Sequence, residues 1–235
     1  MSKYNWKEPD SNPDNMIYRR AFLMPKAGAI FIHESHAPEG APISVVDFSD
    51  GQKRGLLLGA DKKPFFMTLL TTINEETIGS LRFREVQNDD EFITRPYMYI
   101  PICLPGCPYV YRLTILGMAV HEFNQLAIEL DRKVIKPYLK INPEACAELF
   151  GFALKFQLSR KVFSKNKKTF ILAPEFEFDA YENLILTSEE IAQNENLFLT
   201  QALPFLQKQE EQRLKERNHY FGKASGSTEV AEMAA

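Results

Sequence analysis

Six cations and no acid fall within residues Lys155–Lys168: Lys155, Arg160, Lys161, Lys165, Lys167 and Lys168, with Phe156 and Phe163 interleaved. Such a run makes a local positive field that attracts phosphates, and rings turned outward beside it would stack on bases. The same charges would also suit the end of a helix, where cations offset the macrodipole and the two Phe would be core. A second set lies on predicted strands. Arg82 and Arg84 share one side of a strand, Arg95, Tyr97 and Tyr99 one side of another, and Tyr109 and Tyr111 one side of a third, because strand side chains alternate. If those sides adjoin, Arg and Tyr form one surface. The competing reading puts each Tyr at the sheet rim with a wet hydroxyl and each Arg among ordinary solvent-facing residues.

Other groups carry less. Glu175–Glu195 holds seven acids and no Lys or Arg. It would clamp a metal or mimic a phosphate backbone, but Glu189 and Glu190 fit the first turn of a helix, where anions are favoured. Cys103-Leu104-Pro105-Gly106-Cys107 has the wrong spacing for a zinc ribbon or a thiol oxidoreductase. His33 and His36 would add nitrogen ligands, yet nothing in the sequence brings the two segments together, so no metal or cofactor is assigned. His121 and Glu122 lack the second His that a metalloprotease helix requires. Phosphate loops, dinucleotide fingerprints, nucleophile elbows and kinase signatures are missing, so no catalytic residue is assigned and the expectation leans away from an enzyme.

The elements that must position these residues divide at about residue 117. Predicted strands are Ala29–His33, Ile43–Phe48, Arg54–Ala60, Phe65–Ile73, Ile78–Gln87, Phe92–Leu104 and Tyr109–Leu116, separated by Pro, Gly and Asp-Gly turns. Pro96 and Pro101 make Phe92–Leu104 an edge or bent strand. Val120, Phe123, Ala127, Leu130 and Val134 then recur at helical spacing up to Pro137. Asn142-Pro143 predicts the start of a second helix reaching about Leu158. A strand follows over Thr169–Phe178. Thr187 and Glu190 fit a capping box, opening a long helix to about Phe221 with a kink at Pro204.

The expected organisation is a loose arm at 1–16, an α+β domain at 17–221 (β-rich at 17–117, mainly helical at 118–221) and a disordered tail at 222–235. The fold class is α+β, with an antiparallel barrel or sandwich in the first half. The chain has 235 residues, 45% hydrophobic and 25% charged, enough to bury a sizeable core without disulfides. Its formal charge of −3 excludes a uniformly basic coat but leaves room for a local basic groove. No apolar N-terminal segment or membrane-length run occurs and cysteines are few, so the expected compartment is the cytoplasm.

Strand faces bearing Arg and Tyr are how oligonucleotide-binding barrels build single-strand sites. The likeness is one of architecture. It implies a non-enzymatic protein that binds single-stranded DNA or RNA through Arg82, Arg84, Arg95, Tyr97, Tyr99, Tyr109, Tyr111 and the Lys155–Lys168 cations. The alternative is a protein-interaction or homo-oligomer component acting through residues 188–221, where Leu199, Leu203, Leu206 and Leu214 fall on roughly one side.

Overall fold

The structure is a computed structural model that describes residues 17, 19–24, 27–71, 80–88, 91–117, 119–144, 148–162, 170–175, 186–212 and 215. The expected arm at 1–16 and tail at 222–235 lie outside these residues. Ten described strands hydrogen-bond into one sheet: β1 (Arg19–Met24), β2 (Ala29–His33), β3 (Ile43–Phe48), β4 (Gly51–Leu58), β5 (Phe65–Leu69), β6 (Ser80–Asn88), β7 (Glu91–Cys103), β8 (Tyr111–Leu116), β9 (Leu154–Val162) and β10 (Phe170–Glu175). The order is β10-β9-β5-β7-β8-β1-β2-β4-β3, with β6 also paired to β7. The fold is α+β with a curled, barrel-like sheet. It is mixed rather than antiparallel, because β1 lies parallel to β8 in the register Arg19↔Tyr111. Its ten strands exceed the five of an oligonucleotide-binding barrel.

Strand β7 is central, contrary to the edge placement its prolines suggested. It pairs with β8 along one side, and with β6 and then β5 along the other. Both prolines fall where a donor is not needed. In an antiparallel strand the N–H and C=O of one residue point the same way. The Pro101 carbonyl accepts from the Leu70 N–H (2.9 Å), so its ring nitrogen faces the gap where the partner changes from β6 to β5. The Pro96 carbonyl accepts from the Gly117 N–H (2.9 Å), so its nitrogen faces the side where β8 has ended.

Three helical segments are described by name: α1 (Ala119–Leu130), α2 (Lys136–Ile141) and α3 (Ser188–Leu197), with helix continuing over 203–212. The first does not stop at Pro137. A π-helical turn, Asp131–Ile135, joins it to α2 two residues before that proline. The same device recurs at Phe198–Ala202, two residues before Pro204. A proline lacks the N–H and crowds the carbonyl four residues back, and the widened turn places it without ending the helix. The expected capping box is present. The Glu190 N–H donates to the Thr187 hydroxyl oxygen (3.3 Å), and the Thr187 N–H donates to the Glu190 carboxylate (2.8 Å). That main-chain bond, followed by the Thr187 hydroxyl, holds the Glu190 carboxyl below its ordinary range.

The expected helix over 143–158 is not formed. Asn142 instead closes α2, its N–H donating to the Tyr138 carbonyl, and residues from Leu154 form β9. Leu154, Phe156 and Leu158 are buried while Lys155, Gln157 and Ser159 are half-buried, a period of two. Burial on a sheet outweighed a local helix-start signal.

Apolar residues form two clusters, one on each face of the sheet. The larger joins Ile30, Ile32, Met98, Ile100, Leu113, Leu154 and Phe156 to Val120, Phe123 and Leu130 of α1. The smaller joins Tyr97, Tyr99, Cys103 and Phe150 to Leu197, Phe198, Ala202 and Phe205. Large apolar side chains as deeply buried as Phe123 and Phe156 cost about 3–5 kcal/mol when cut to Ala.

Gly55 of β4 gives a specific test of this packing. A methyl there would overlap the Ile32 carbonyl oxygen, which lies in the β2–β4 pairing, and the Phe31 ring. Main-chain oxygen in a ladder cannot yield cheaply. Gly55→Ala is therefore expected to lower the unfolding free energy by about 1–3 kcal/mol in a urea titration. A loss within error would show that β2 and β4 separate more easily than the packing implies.

Candidate nucleic-acid interface

The backbone brings the expected strands side by side. Arg82 stands opposite Tyr97, and Arg84 opposite Arg95, in the β6–β7 register, and β7 runs next to β8. For Arg82, Arg84 and Arg95 this register is what the structure describes. Three of the four expected tyrosines are not displayed as a platform. Tyr97 is 5% exposed, Tyr99 2% and Tyr111 0%. Tyr97 and Tyr99 meet edge to face at 5.3 Å, Phe205 lies 6.2 Å from Tyr99, and the buried Arg112 guanidinium sits 4.7 Å from the Tyr99 ring centre. Tyr111 belongs to the opposite face. Its hydroxyl donates to the His36 carbonyl (2.8 Å), and burial, aided by the Cys107 contact, pushes its phenol pKa up. Alternation groups residues by side. It carries no information that the helix after α3 covers one side and α1 the other.

That helix also settles the leucine stripe. Leu203 and Leu206 pack against the smaller cluster, whereas Leu199 is exposed, so they do not share one outward side. Leu214 lies outside the described residues. The covered side of the helix, with Asn194, Leu197, Phe198, Ala202 and Phe205, is occupied by the protein's own sheet.

Lys155 stands opposite Phe66 in the β5–β9 pairing, and Arg160 and Lys161 stand opposite Leu172 and Ile171 of β10. Up to Val162 the segment is a strand and not a helix end. Position 161 falls on the same side of β9 as Lys155, Gln157 and Ser159. Lys165, Lys167 and Lys168 lie outside the described residues. Strand β5 separates β9 from β7, so the Lys155–Lys161 row and the Arg82–Arg95 row are not adjacent.

At the start of β1 a cation lies on an exposed ring. The Arg19 guanidinium lies 3.5 Å from the ring centre of Tyr109, which is 39% exposed. The Arg20 N–H donates to His36 Nδ1 (3.4 Å), and the His33 and His36 rings are 6.4 Å apart. Arg54 Nε pairs with Glu34 at 3.0 Å, while the Glu34 N–H donates to the Arg54 carbonyl. A guanidinium lying on a ring keeps a fixed plane of donors, suited to bidentate contact with a phosphate. Arg19 and Arg20 were not singled out from the sequence because β1 was not predicted, whereas Arg54 opened a predicted strand with no pattern marking it as a contact. The available signal was Arg19-Arg20 leading directly into Ala21-Phe22-Leu23.

His33 Nδ1 lies 3.2 Å from the Ser35 N and 2.8 Å from its hydroxyl, and His36 Nδ1 lies 3.4 Å from the Arg20 N. The cysteines also part company. Cys107 lies by Tyr111 (Sγ to hydroxyl 3.6 Å), whereas Cys103 is on the other face and donates to Asn194 Oδ1 (3.3 Å). Among the described residues no group of three or more His, Cys, Asp or Glu could hold a metal ion.

Burial pushes the Cys103 thiol from 9.0 up to about 12. With Cys146 replaced by Ser, native protein at pH 8 should resist a thiol reagent and label fully in urea. The folded chain keeps this proton when the unfolded chain loses it, so stability should decline as pH rises from about 9 towards 12. Cys103→Ala should flatten part of that decline. Fast native labelling of Cys103 would contradict its placement.

Comparison with known proteins finds no family model, no curated protein and no solved structure that matches this chain.

Proposed function

We propose that this protein binds single-stranded nucleic acid without catalysing a reaction, and that the contact surface is the Arg19–Tyr109 patch rather than the Tyr97–Tyr99 face. The carrying observation is the Arg19 guanidinium 3.5 Å above the exposed Tyr109 ring. Two strands away in the sheet, Arg54 of β4 pairs with the acid Glu34. Such a patch supplies what a single strand needs: positive charge for its phosphates and a ring for its bases. A molecule of net charge −3 can hold a basic patch of this kind, since binding follows the local field rather than the total.

A labelled oligonucleotide titrated with protein, read by fluorescence anisotropy, tests the reading. Affinity should fall steeply between about 50 mM and about 200 mM salt, as phosphate contacts release counterions. Tyr109→Ala should weaken binding by about 1–3 kcal/mol, the worth of one stacked base, while Tyr109→Phe keeps it. Arg19→Glu should weaken binding to every sequence alike. The proposal fails if the unaltered protein binds neither DNA nor RNA oligonucleotides at low salt, or if Tyr109→Ala and Arg19→Glu leave affinity unchanged.

A further inference from the structure

We infer that the open edge of β3 pairs with the β3 edge of a second copy of this chain, antiparallel and centred on Val45, independently of any nucleic-acid contact. Among the described residues β3 pairs with β4 alone, at the end of the sheet. The Arg54 carbonyl accepts from the Glu34 N–H (2.9 Å), so Arg54 directs its main-chain groups towards β2. Alternation then turns those of Lys53 and Gly55 towards β3. Their partners Val46 and Ser44, with Phe48 opposite Gly51, turn theirs towards β4. Ile43, Val45 and Asp47 are left with N–H and C=O groups aimed at the open side. The side chains of Ile43 and Val45 are exposed as well, at 37% and 61%.

Native sheets guard such edges with charges, prolines or bulges, because an open, regular, apolar edge recruits another strand. The other strands with one described partner carry guards in their sequences: Arg82, Arg84 and Glu85 in β6, and Pro174 and Glu175 in β10. Strand β3 runs against β4 in unbroken register from Ile43↔Leu56 to Phe48↔Gly51. Its single charge, Asp47, accepts from Gln52 Nε2 (3.0 Å) and so leans over β4 rather than across the edge. The strand is also held in shape. Phe48 lies 5.1 Å from Phe31, and Lys53 stands 4.8 Å over its ring.

The sequence of β3 suits a copy of itself. Residues directly opposite in an antiparallel pair share a face, so a two-fold axis must pass through a residue position. Centring on Val45 sets Val45 against Val45 of the second copy and Ile43 against its Asp47. All three outward residues of each copy then exchange main-chain bonds. The most exposed apolar side chain of the strand is covered, Ile43 lies on its diagonal, and the two Asp47 carboxylates stay at opposite ends. Pro42 precedes the strand and has the same parity as Ser44, so its missing N–H is not one the second copy would meet. Paired edges alone make an interface smaller than the roughly 1,200 Å² of stable complexes, so association is reversible and concentration-dependent.

Sedimentation velocity of the full chain over a dilution series tests this. The unaltered protein should pass from dimer to monomer on dilution. Val45→Lys puts like charges directly opposite each other and should weaken association by about ten-fold or more, with an unchanged far-UV circular dichroism spectrum. Leu199→Lys, at another exposed apolar residue, should leave association as it was. Opposite residues of a hydrogen-bonded pair have Cα atoms about 5.5 Å apart, within disulfide reach. Mild oxidation should therefore convert Val45→Cys, but not Leu199→Cys, into a covalent dimer. The inference is overturned if the unaltered protein is a monomer at every concentration, if Val45→Lys associates as before, or if Val45→Cys stays uncrosslinked. Loss of association in Leu199→Lys would also overturn it, by moving the interface to the helix.

Discussion

Strand β7 is buried on both faces from Tyr97 to Cys103, and the rest of the molecule is arranged to meet that constraint. Met98, Ile100 and Ile102 point to one side, and Tyr97, Tyr99 and Cys103 to the other. A strand apolar on both sides needs two covers, and α1 and the helix after α3 provide them. The second cover is fastened by polar groups as well as by Phe198 and Phe205. The Asn194 side chain donates to the Phe150 carbonyl (3.1 Å) and accepts from the Cys103 thiol. A buried amide costs free energy unless its partners are present, so this pair fixes where the helix sits as well as whether it sits.

Covering both faces also sorts the aromatic and basic residues into two kinds. Tyr97, Tyr99 and Arg112 are internal, and their ring and cation contacts serve packing. Exposed ring and cation meet where the covers do not reach, at Tyr109 beside Arg19. The sheet that carries them is braced by specific contacts. The Tyr111 hydroxyl ties the segment carrying His36 to β8, and Phe31, packed over Gly55 and 5.1 Å from Phe48, braces β2 against β3 and β4. Loop residues positioned this way can present charge without the entropy cost of ordering it at each encounter.

The two prolines of β7 and the two of the helices show one rule in different settings. Each stands where its missing N–H has no partner to lose: at a change of strand partner, past the end of a neighbouring strand, or just after a π-helical turn. Read as local punctuation, Pro96 and Pro101 pointed to an edge and Pro137 to a helix end. The tertiary arrangement accommodates all of them within continuous elements.

Local signals were legible in the sequence where a local interaction decides the outcome. The Thr187–Glu190 capping box, the strands Ala29–His33 and Ile43–Phe48, and the amphipathic start of α1 depend on neighbours a few residues apart, and they stand as read. The alternation Leu154, Phe156, Leu158 was equally present, but Asn142-Pro143 upstream resembled a helix start and masked it. What only the tertiary structure decided is which side of each strand is covered, that β1 runs parallel to β8, and that Arg19 meets Tyr109. Each of these depends on contacts between segments far apart along the chain, and a period of two or of 3.6 sorts side chains into faces without saying what will pack against them.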